Sequence, residues 1–426
     1  MKLGASNLEL PPHETGVDGR RKPVGELRVK AGPKSAGAVW QVFRAFLWLG
    51  LTSFGGPVAH IGYFRREFVV RRGWLTEDQY AAWVGLCQFL PGPASSQLGF
   101  CIGMLRAGVA GAIGAFVGFT LPSALMMAGL GILLGGPGAG GIDGVVHGLK
   151  LVAVAVVGQG VWAMGRRLCP DPTRWVLAAG VAAGSLLLKP AWVQPMLVVV
   201  SALVGWKLCP GTESAGVEAG AMPYGRRGGV WCLGLFGGLV FGLPWVASGV
   251  GGSLEPASGF VRAGAMVFGG GHVVLPLLEE AVVQPGWIRR DEFLTGYGAA
   301  QAVPGPMFTL AAFLGALMPG TSGGWFGALV GVLSIFAPGL LLVAGVLPFW
   351  HRLGRDSSMT RMMSGVNAGV VGLLAAALVD PVWIGAVQRW PDAVVALAGL
   401  AALLWGRVPV IAVVGGCVAA GWITRG

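Results

Sequence analysis

Charge is scarce in this chain. Asp, Glu, Lys and Arg make up only 12% of the residues, about half of what a soluble domain carries, so a water-facing surface of ordinary composition is excluded. Cysteine is sparse too. Cys87, Cys101, Cys169, Cys209, Cys232 and Cys417 include no C-x-x-C spacing, which argues against a metal or redox centre and for small apolar packing residues. There are five histidines, with no H-E-x-x-H, no G-x-S-x-G, no phosphate-cradling loop and no acid pair at bilayer depth. A membrane-embedded enzyme would need one of these constellations, so no catalytic residue, cofactor or metal is expected. Basic–aromatic interleaving is missing as well, so the formal charge of +11 does not read as a nucleic-acid surface. Residues 1–37 lack an early apolar core and are rich in Pro, Gly and charge. They are expected to form a disordered cytoplasmic tail with no cleavable signal peptide.

What the chain has is apolar length. The hydrophobic fraction is 54%, with 75 glycines, and the mean hydropathy is +0.70. Many runs reach the roughly 17–25 residues that span a bilayer. The chain reads as an all-α polytopic membrane protein whose glycines permit close helix packing.

One apolar stretch is interrupted at Gln88-Phe89-Leu90-Pro91-Gly92-Pro93-Ala94-Ser95-Ser96-Gln97. Proline removes a donor and drives the preceding residue out of the α region. In hydrocarbon the freed backbone groups need protein, water or a ligand. The phrase returns as Gln301-Ala302-Val303-Pro304-Gly305-Pro306. Phe54-Gly55-Gly56-Pro57 likewise returns as Phe268-Gly269-Gly270-Gly271, Gly73-Trp74 as Gly286-Trp287, and Leu121-Pro122 as Ala337-Pro338. The offset of about 213 to 220 residues indicates a duplicated half. The boundaries are a repeat at 38–206, a linker loop plus connecting helix at 207–257, and a second repeat at 258–426.

Loop charge gives the relative orientation of the halves. Arg65, Arg66, Arg71 and Arg72 lie between the breaks of the first half, whereas Glu279 to Pro285 holds no basic residue. Lysine and arginine gather on the cytoplasmic side, so the repeats should be inverted, with broken, re-entrant helices. About 9–13 membrane segments then place the N-terminus in and the C-terminus out. Arg289 and Arg290 are the exceptions.

The ordered series of motifs resembles the chromate ion transporter family in its long form with two homologous halves. It runs from Phe54-Gly55-Gly56-Pro57 with His60, through Glu67-Phe68-Val69, Arg71-Arg72-Gly73-Trp74-Leu75 and Gln88 to Gly99, to Gly118-Phe119-Thr120-Leu121-Pro122-Ser123, and is repeated in the second half. The resemblance covers about Val39 to Trp405. It implies a secondary transporter of the plasma membrane that exports chromate, or a related tetrahedral oxyanion such as sulfate. An anion channel, or a transporter of a different small anion, is the alternative reading. A monomer or a homodimer fits, with the lipid bilayer as surroundings and protons as candidate coupling ions.

A divalent oxyanion at mid-membrane needs donors without much fixed charge, and half-helices starting at the breaks supply N–H groups and a positive dipole end. The expected binding residues are Gly55, Gly56, Gln88, Pro91, Gly92, Pro93, Ser95, Ser96 and Gln97. Their counterparts are Gly269, Gly270, Gly271, Gln301, Pro304, Gly305, Pro306 and Thr309. The alternative is that these glycines and prolines only kink helices for packing. Arg71 and Arg72 fit either anion capture at the cytoplasmic mouth or positive-inside anchoring. His60, His272 and Glu67 are coupling candidates, with hydrogen-bonded packing as the plainer role of the histidines and pairing with Arg71 that of Glu67. Glu279 and Glu280 are expected to face solvent, and the two Pro-Gly-Pro breaks are expected to meet across the repeat interface.

Overall fold

Proline, glycine and short polar caps set where these helices start and stop. In the computed structural model the described residues are 35–135, 143–188, 193–210, 224–250, 254–268, 271–319, 323–350, 357–405 and 408–425. Residues 1–34, Gly269, Gly270 and the loop at 351–356 therefore lie outside the described residues, as does the side chain of His272.

The first helix, α1 (Ala36–Thr52), is capped by Ser35 and stops at Ser53. Gly55 then adopts a left-handed conformation, and α2 (Gly56–Phe64) runs on through a wider π-type turn at Arg65–Arg71. Thr76 and Gln79 form a reciprocal capping box that opens α3 (Glu77–Phe89), satisfying two orphan donors at its start. After the break comes α4 (Ala94–Gly135), bent sharply at Ala107 and Gly108. Then follow α5 (Asp143–Leu168), α6 (Pro172–Leu187) and α7 (Val193–Leu208). A connecting helix α8 (Arg226–Gly237) continues through Gly238–Gly242 into Leu243–Val250.

The second half repeats this order. It consists of α9 (Leu254–Met266), α10 (Val274–Val282), α11 (Arg290–Ala302), a 3₁₀ turn at Met307–Thr309 with α12 (Leu310–Ala316), and α13 (Gly324–Val346). It ends with α14 (Ser357–Ala377, continuing to Ala386), α15 (Trp390–Leu404) and α16 (Val410–Arg425). Among the described residues five helices are long and apolar enough to cross a membrane, and several shorter apolar helices accompany them.

Packing fixes the direction of each segment. The Arg106 guanidinium lies 5.1 Å over the ring of Trp74. Arg106 ends the first part of α4 and Trp74 precedes α3, so α3, the break and early α4 enter and leave on one face. Phe46 of α1 stacks on Phe68 at 4.8 Å, and Phe68 on Trp74 at 5.1 Å, so α2 returns to the face from which α1 started. In the second half the equivalent hairpins open oppositely. Gly131 and Gly135, at the far end of α4, sit against Phe313 and Leu317 of the α12 hairpin, and Arg290 reaches Glu279 at 3.2 Å. The repeats are inverted. Arg71 and Arg106 mark one face, Glu279 and Arg290 the other.

The halves are interleaved rather than side by side. α5 of the first repeat packs on α16 of the second through Gly144 and Gly148, and α14 packs on α6 and α7 through Gly365, Gly369 and Gly372. A methyl added at Gly365 would lie 2.1 Å from the Ser201 carbonyl. Such backbone-to-backbone contact is how helices associate in lipid, where no hydrophobic force drives them together.

Candidate functional site

The two breaks are built on glycines that a side chain would spoil. Gly92 has φ +125° and Gly305 φ +101°, conformations open to glycine and costly for L-residues with a side chain. A methyl on Gly92 would lie 2.7 Å from Gln97 Nε2 and 2.9 Å from Gly339 Cα, and one on Gly305 2.9 Å from Ser123 Oγ. The freed amides are used across the halves. Gly92 N–H donates to the Val267 carbonyl at 2.7 Å, and Gly305 N–H to the Ser53 carbonyl at 2.9 Å. Ser53 precedes Phe54-Gly55-Gly56, and Val267 precedes Phe268. Each Pro-Gly-Pro break is therefore tied to the residue that precedes the Phe-Gly motif of the opposite repeat. A methyl on Gly271 would lie 3.0 Å from Pro57 Cγ, and these two occupy equivalent positions in the repeats, so the pseudo-two-fold axis passes between them.

The first-half break carries the polar chemistry. The Gln97 amide N–H makes the first helical bond of α4, to the Pro93 carbonyl at 2.9 Å. The N–H groups of the three residues before it have no intrahelical acceptor, and they stand at the positive end of the helix dipole. Ser53 Oγ, Ser96 Oγ and Thr120 Oγ1 are buried hydroxyls without a hydrogen-bond partner among the described residues, and Ser96 lies in the first turn of α4. His60 is fully buried. Its Nδ1 lies 3.4 Å from Ser95 Oγ, and its ring stands edge-on to Phe119 at 5.2 Å. The Gln97 side-chain amide donates to the carbonyls of Pro91 and Gly339, each at 2.9 Å. Both amide protons are spent there, so Gln97 stitches the break to α13.

The second-half counterparts are mostly apolar. Val267 stands for Ser53, Val274 for His60, Phe308 for Ser95, Leu310 for Gln97 and Phe336 for Thr120. Thr309, in place of Ser96, donates its hydroxyl to the Pro306 carbonyl at 2.8 Å, and Gln301 Nε2 faces Met307 Sδ at 3.0 Å. The backbone is symmetric and the side chains are not.

Arg71 and Arg72 lie away from this centre, at the open end of the α1–α2 hairpin. Both bind the buried Glu67 carboxylate, Arg71 at 3.2 Å and Arg72 at 2.6 Å. The expected Glu67–Arg71 pair is present, and Arg72 makes the shorter contact. Arg72 also lies 5.2 Å over Trp74, the ring that Arg106 contacts at 5.1 Å. Arg65 pairs with Glu77. Glu279 and Glu280 are less exposed than expected. Both are half-buried, and Glu279 holds Arg290, which also binds Asp380 at 3.2 Å. Arg289 is held by Glu292 at 2.9 Å. The two arginines that oppose the loop-charge pattern are thus matched by carboxylates.

Ser53, Thr120, Arg106 and Arg167 were not among the binding residues expected from sequence. Ser53 adjoins Phe54-Gly55-Gly56, and Thr120 lies two residues before Pro122, so motif adjacency was the available signal. Arg167 donates to Gln88 Oε1 at 2.7 Å, a contact across 79 positions that no local pattern reveals. The Nε2 of His147 is 2.8 Å from Asp392 Oδ1, both side chains buried, and this pair joins α5 to the start of α15. No group of His, Cys, Asp and Glu able to hold a metal ion occurs among the described residues.

The sequence is similar to those of known transport proteins. The chain is 29% identical over 398 residues to the chromate transport protein of Pseudomonas aeruginosa, covering 90% of this chain and 92% of that one. It is 28% identical over 345 residues to a probable chromate transport protein of Synechococcus elongatus, covering 80% and 83%. It is 27% identical over 375 residues to the chromate transport protein of Cupriavidus metallidurans, covering 85% and 87%. No solved structure matches the chain. The chromate transporter family model matches residues 40–206 and again 254–422, one match to each inverted half, and the chain belongs to that family.

Proposed function

We propose that this membrane protein exports chromate, or a tetrahedral divalent oxyanion of the same shape such as sulfate, by alternating access coupled to an ion. The observation that carries this reading is the buried start of α4. There the helix N-terminus and the buried, unpartnered hydroxyl of Ser96 offer donors without a buried lysine or arginine. Roughly half a positive charge at the helix end, plus several neutral donors, offsets part of a dianion's desolvation and still lets it leave. Gly55, Gly56, Gly92 and their counterparts provide close backbone approach, and Gln97 with Pro91 and Pro93 holds the geometry. Inverted halves, interlocked through reciprocal Gly92 and Gly305 bonds, suit exchange between two pseudo-symmetric states.

The Arg71 face is assigned to the cytoplasm. It carries Arg65, Arg66, Arg71, Arg72, Arg106, Arg166 and Arg167, in keeping with the positive-inside bias, and this orientation puts the N-terminus inside the plasma membrane. His60 is the coupling candidate that touches the site, through Ser95. Glu67 is engaged by two arginines. The repeats are taken as 38–206 and 258–426, joined by 207–257.

The test is uptake of chromate and of sulfate into everted vesicles containing a pH-sensitive dye. Saturable uptake with matched proton movement supports a coupled carrier. Flux that is electrogenic, unsaturated and uncoupled supports a channel.

A further inference from the structure

Several basic side chains among the described residues are held by carboxylates. On the Arg71 face Arg65 is held by Glu77, Arg71 and Arg72 share Glu67, and Arg174 is held by Asp171. On the opposite face Lys150 is held by Asp291, Arg289 by Glu292, and Arg290 by Glu279 and Asp380. Arg167 differs. It is exposed near the end of α5, and its hydrogen bond goes to a neutral acceptor, Gln88 Oε1 at 2.7 Å. A neutral amide orients a guanidinium without cancelling its charge.

Gln88 occupies a particular place. It lies in the last turn of α3, three residues before Pro91, whose carbonyl receives the Gln97 amide. Arg167 therefore reaches from the rim of the Arg71 face toward the break that begins α4. Gln301, the counterpart of Gln88, faces Met307 Sδ and no cation.

We propose that Arg167 is the capture residue for the dianion on the Arg71 face, with Gln88 holding its guanidinium in place until an anion replaces that contact. The exchange is favourable because a charge-assisted, bidentate guanidinium–oxyanion contact is stronger than a bond to a neutral amide. Arg71 and Arg72 are less suited to this task, since an incoming anion would have to compete with the Glu67 carboxylate. The inference rests on the oxyanion-transport reading and adds to it a residue outside the repeated motifs.

The experiment measures initial rates of chromate and of sulfate uptake against concentration, with the full chain reconstituted in liposomes. Arg167→Gln is expected to raise KM about tenfold with kcat within about a factor of two, the pattern of a lost charged contact in binding. Arg167→Lys should recover part of that loss. Gln88→Glu, which gives Arg167 a carboxylate partner and leaves the arginine in place, should raise KM similarly. Arg66→Gln, an exposed arginine of the same face, should leave KM unchanged. Wild-type transport together with an unchanged KM in Arg167→Gln and Gln88→Glu overturns the capture role and leaves the transport reading standing. Equal KM increases in Arg66→Gln and Arg167→Gln also overturn it, in favour of general surface charge. Absence of saturable uptake of either anion by the wild-type chain fails the transport reading, and the capture role with it.

Discussion

The amide of Gly92 donates to the carbonyl of Val267 at 2.7 Å, tying the break of one repeat to the turn of the other. Its counterpart, from Gly305 to Ser53, is 2.9 Å long. Each repeat thus uses a backbone acceptor of its partner to satisfy a donor freed by its own prolines. Neither break could be buried alone, because an unsatisfied amide in hydrocarbon costs several kcal/mol. Duplication and interlocking solve one problem together.

Valine at position 92 should be severely damaging. It places a β-branched side chain at φ +125° and within 2.9 Å of the Gly339 backbone. Strain and overpacking together suggest a loss of about 2–5 kcal/mol. The expected result is a lowered Tm in detergent and chromate uptake below about a tenth of wild type. Gly305→Val should behave alike. Gly234→Val is the control, since a side chain there meets nothing within 4 Å, and it should retain uptake.

Chemical asymmetry between the halves predicts unequal effects at matched positions. Ser96→Ala removes a buried hydroxyl that has no partner among the described residues and should raise KM about five- to tenfold, the equivalent of one hydrogen bond of about 1 kcal/mol or slightly more. Thr309→Val, at the equivalent site, removes a hydroxyl already spent on Pro306 and should leave KM within about twofold. Uptake kinetics of the two variants side by side check this. Similar changes in both would mean that the halves contribute equally.

Glu67 predicts a ranking among the arginines. Its side chain is 9% exposed and is held at 2.6 Å by Arg72, itself 28% exposed. Arg72→Ala leaves that carboxylate poorly paired and should cost about 1–3 kcal/mol. Arg71 is 69% exposed, so Arg71→Ala should cost less than about 1 kcal/mol. Thermal denaturation of the purified protein gives the order. If Arg71→Ala and Arg72→Ala are equally mild, both arginines serve only as anchors.

Much of this was legible in sequence. Pro91-Gly92-Pro93 and its repeat could be read because proline and glycine act locally, and their chemistry does not depend on neighbours. Inversion could be read because Arg65 to Arg72 and Glu279 to Pro285 differ in charge. Partners distant in the chain could not. Nothing local tells that Gly92 seeks Val267 rather than Gly305, that Gln97 spends both amide protons on Pro91 and Gly339, or that Asp392 meets His147. The partial burial of Glu279 was hidden for a related reason. Arg290 lies 11 positions from Glu279, and the pairing depends on the return of α10 beside the start of α11.

The most direct measurement is of where the anion sits. Crystals of the protein soaked in selenate, a tetrahedral dianion with a strong anomalous scatterer, should show an anomalous peak at the start of α4. That peak is expected within about 3.5 Å of Ser96 Oγ and of the first N–H groups of the helix, with no equal peak beside Thr309. A peak confined to Arg71 and Arg72, or two equal peaks at the two breaks, would contradict the account.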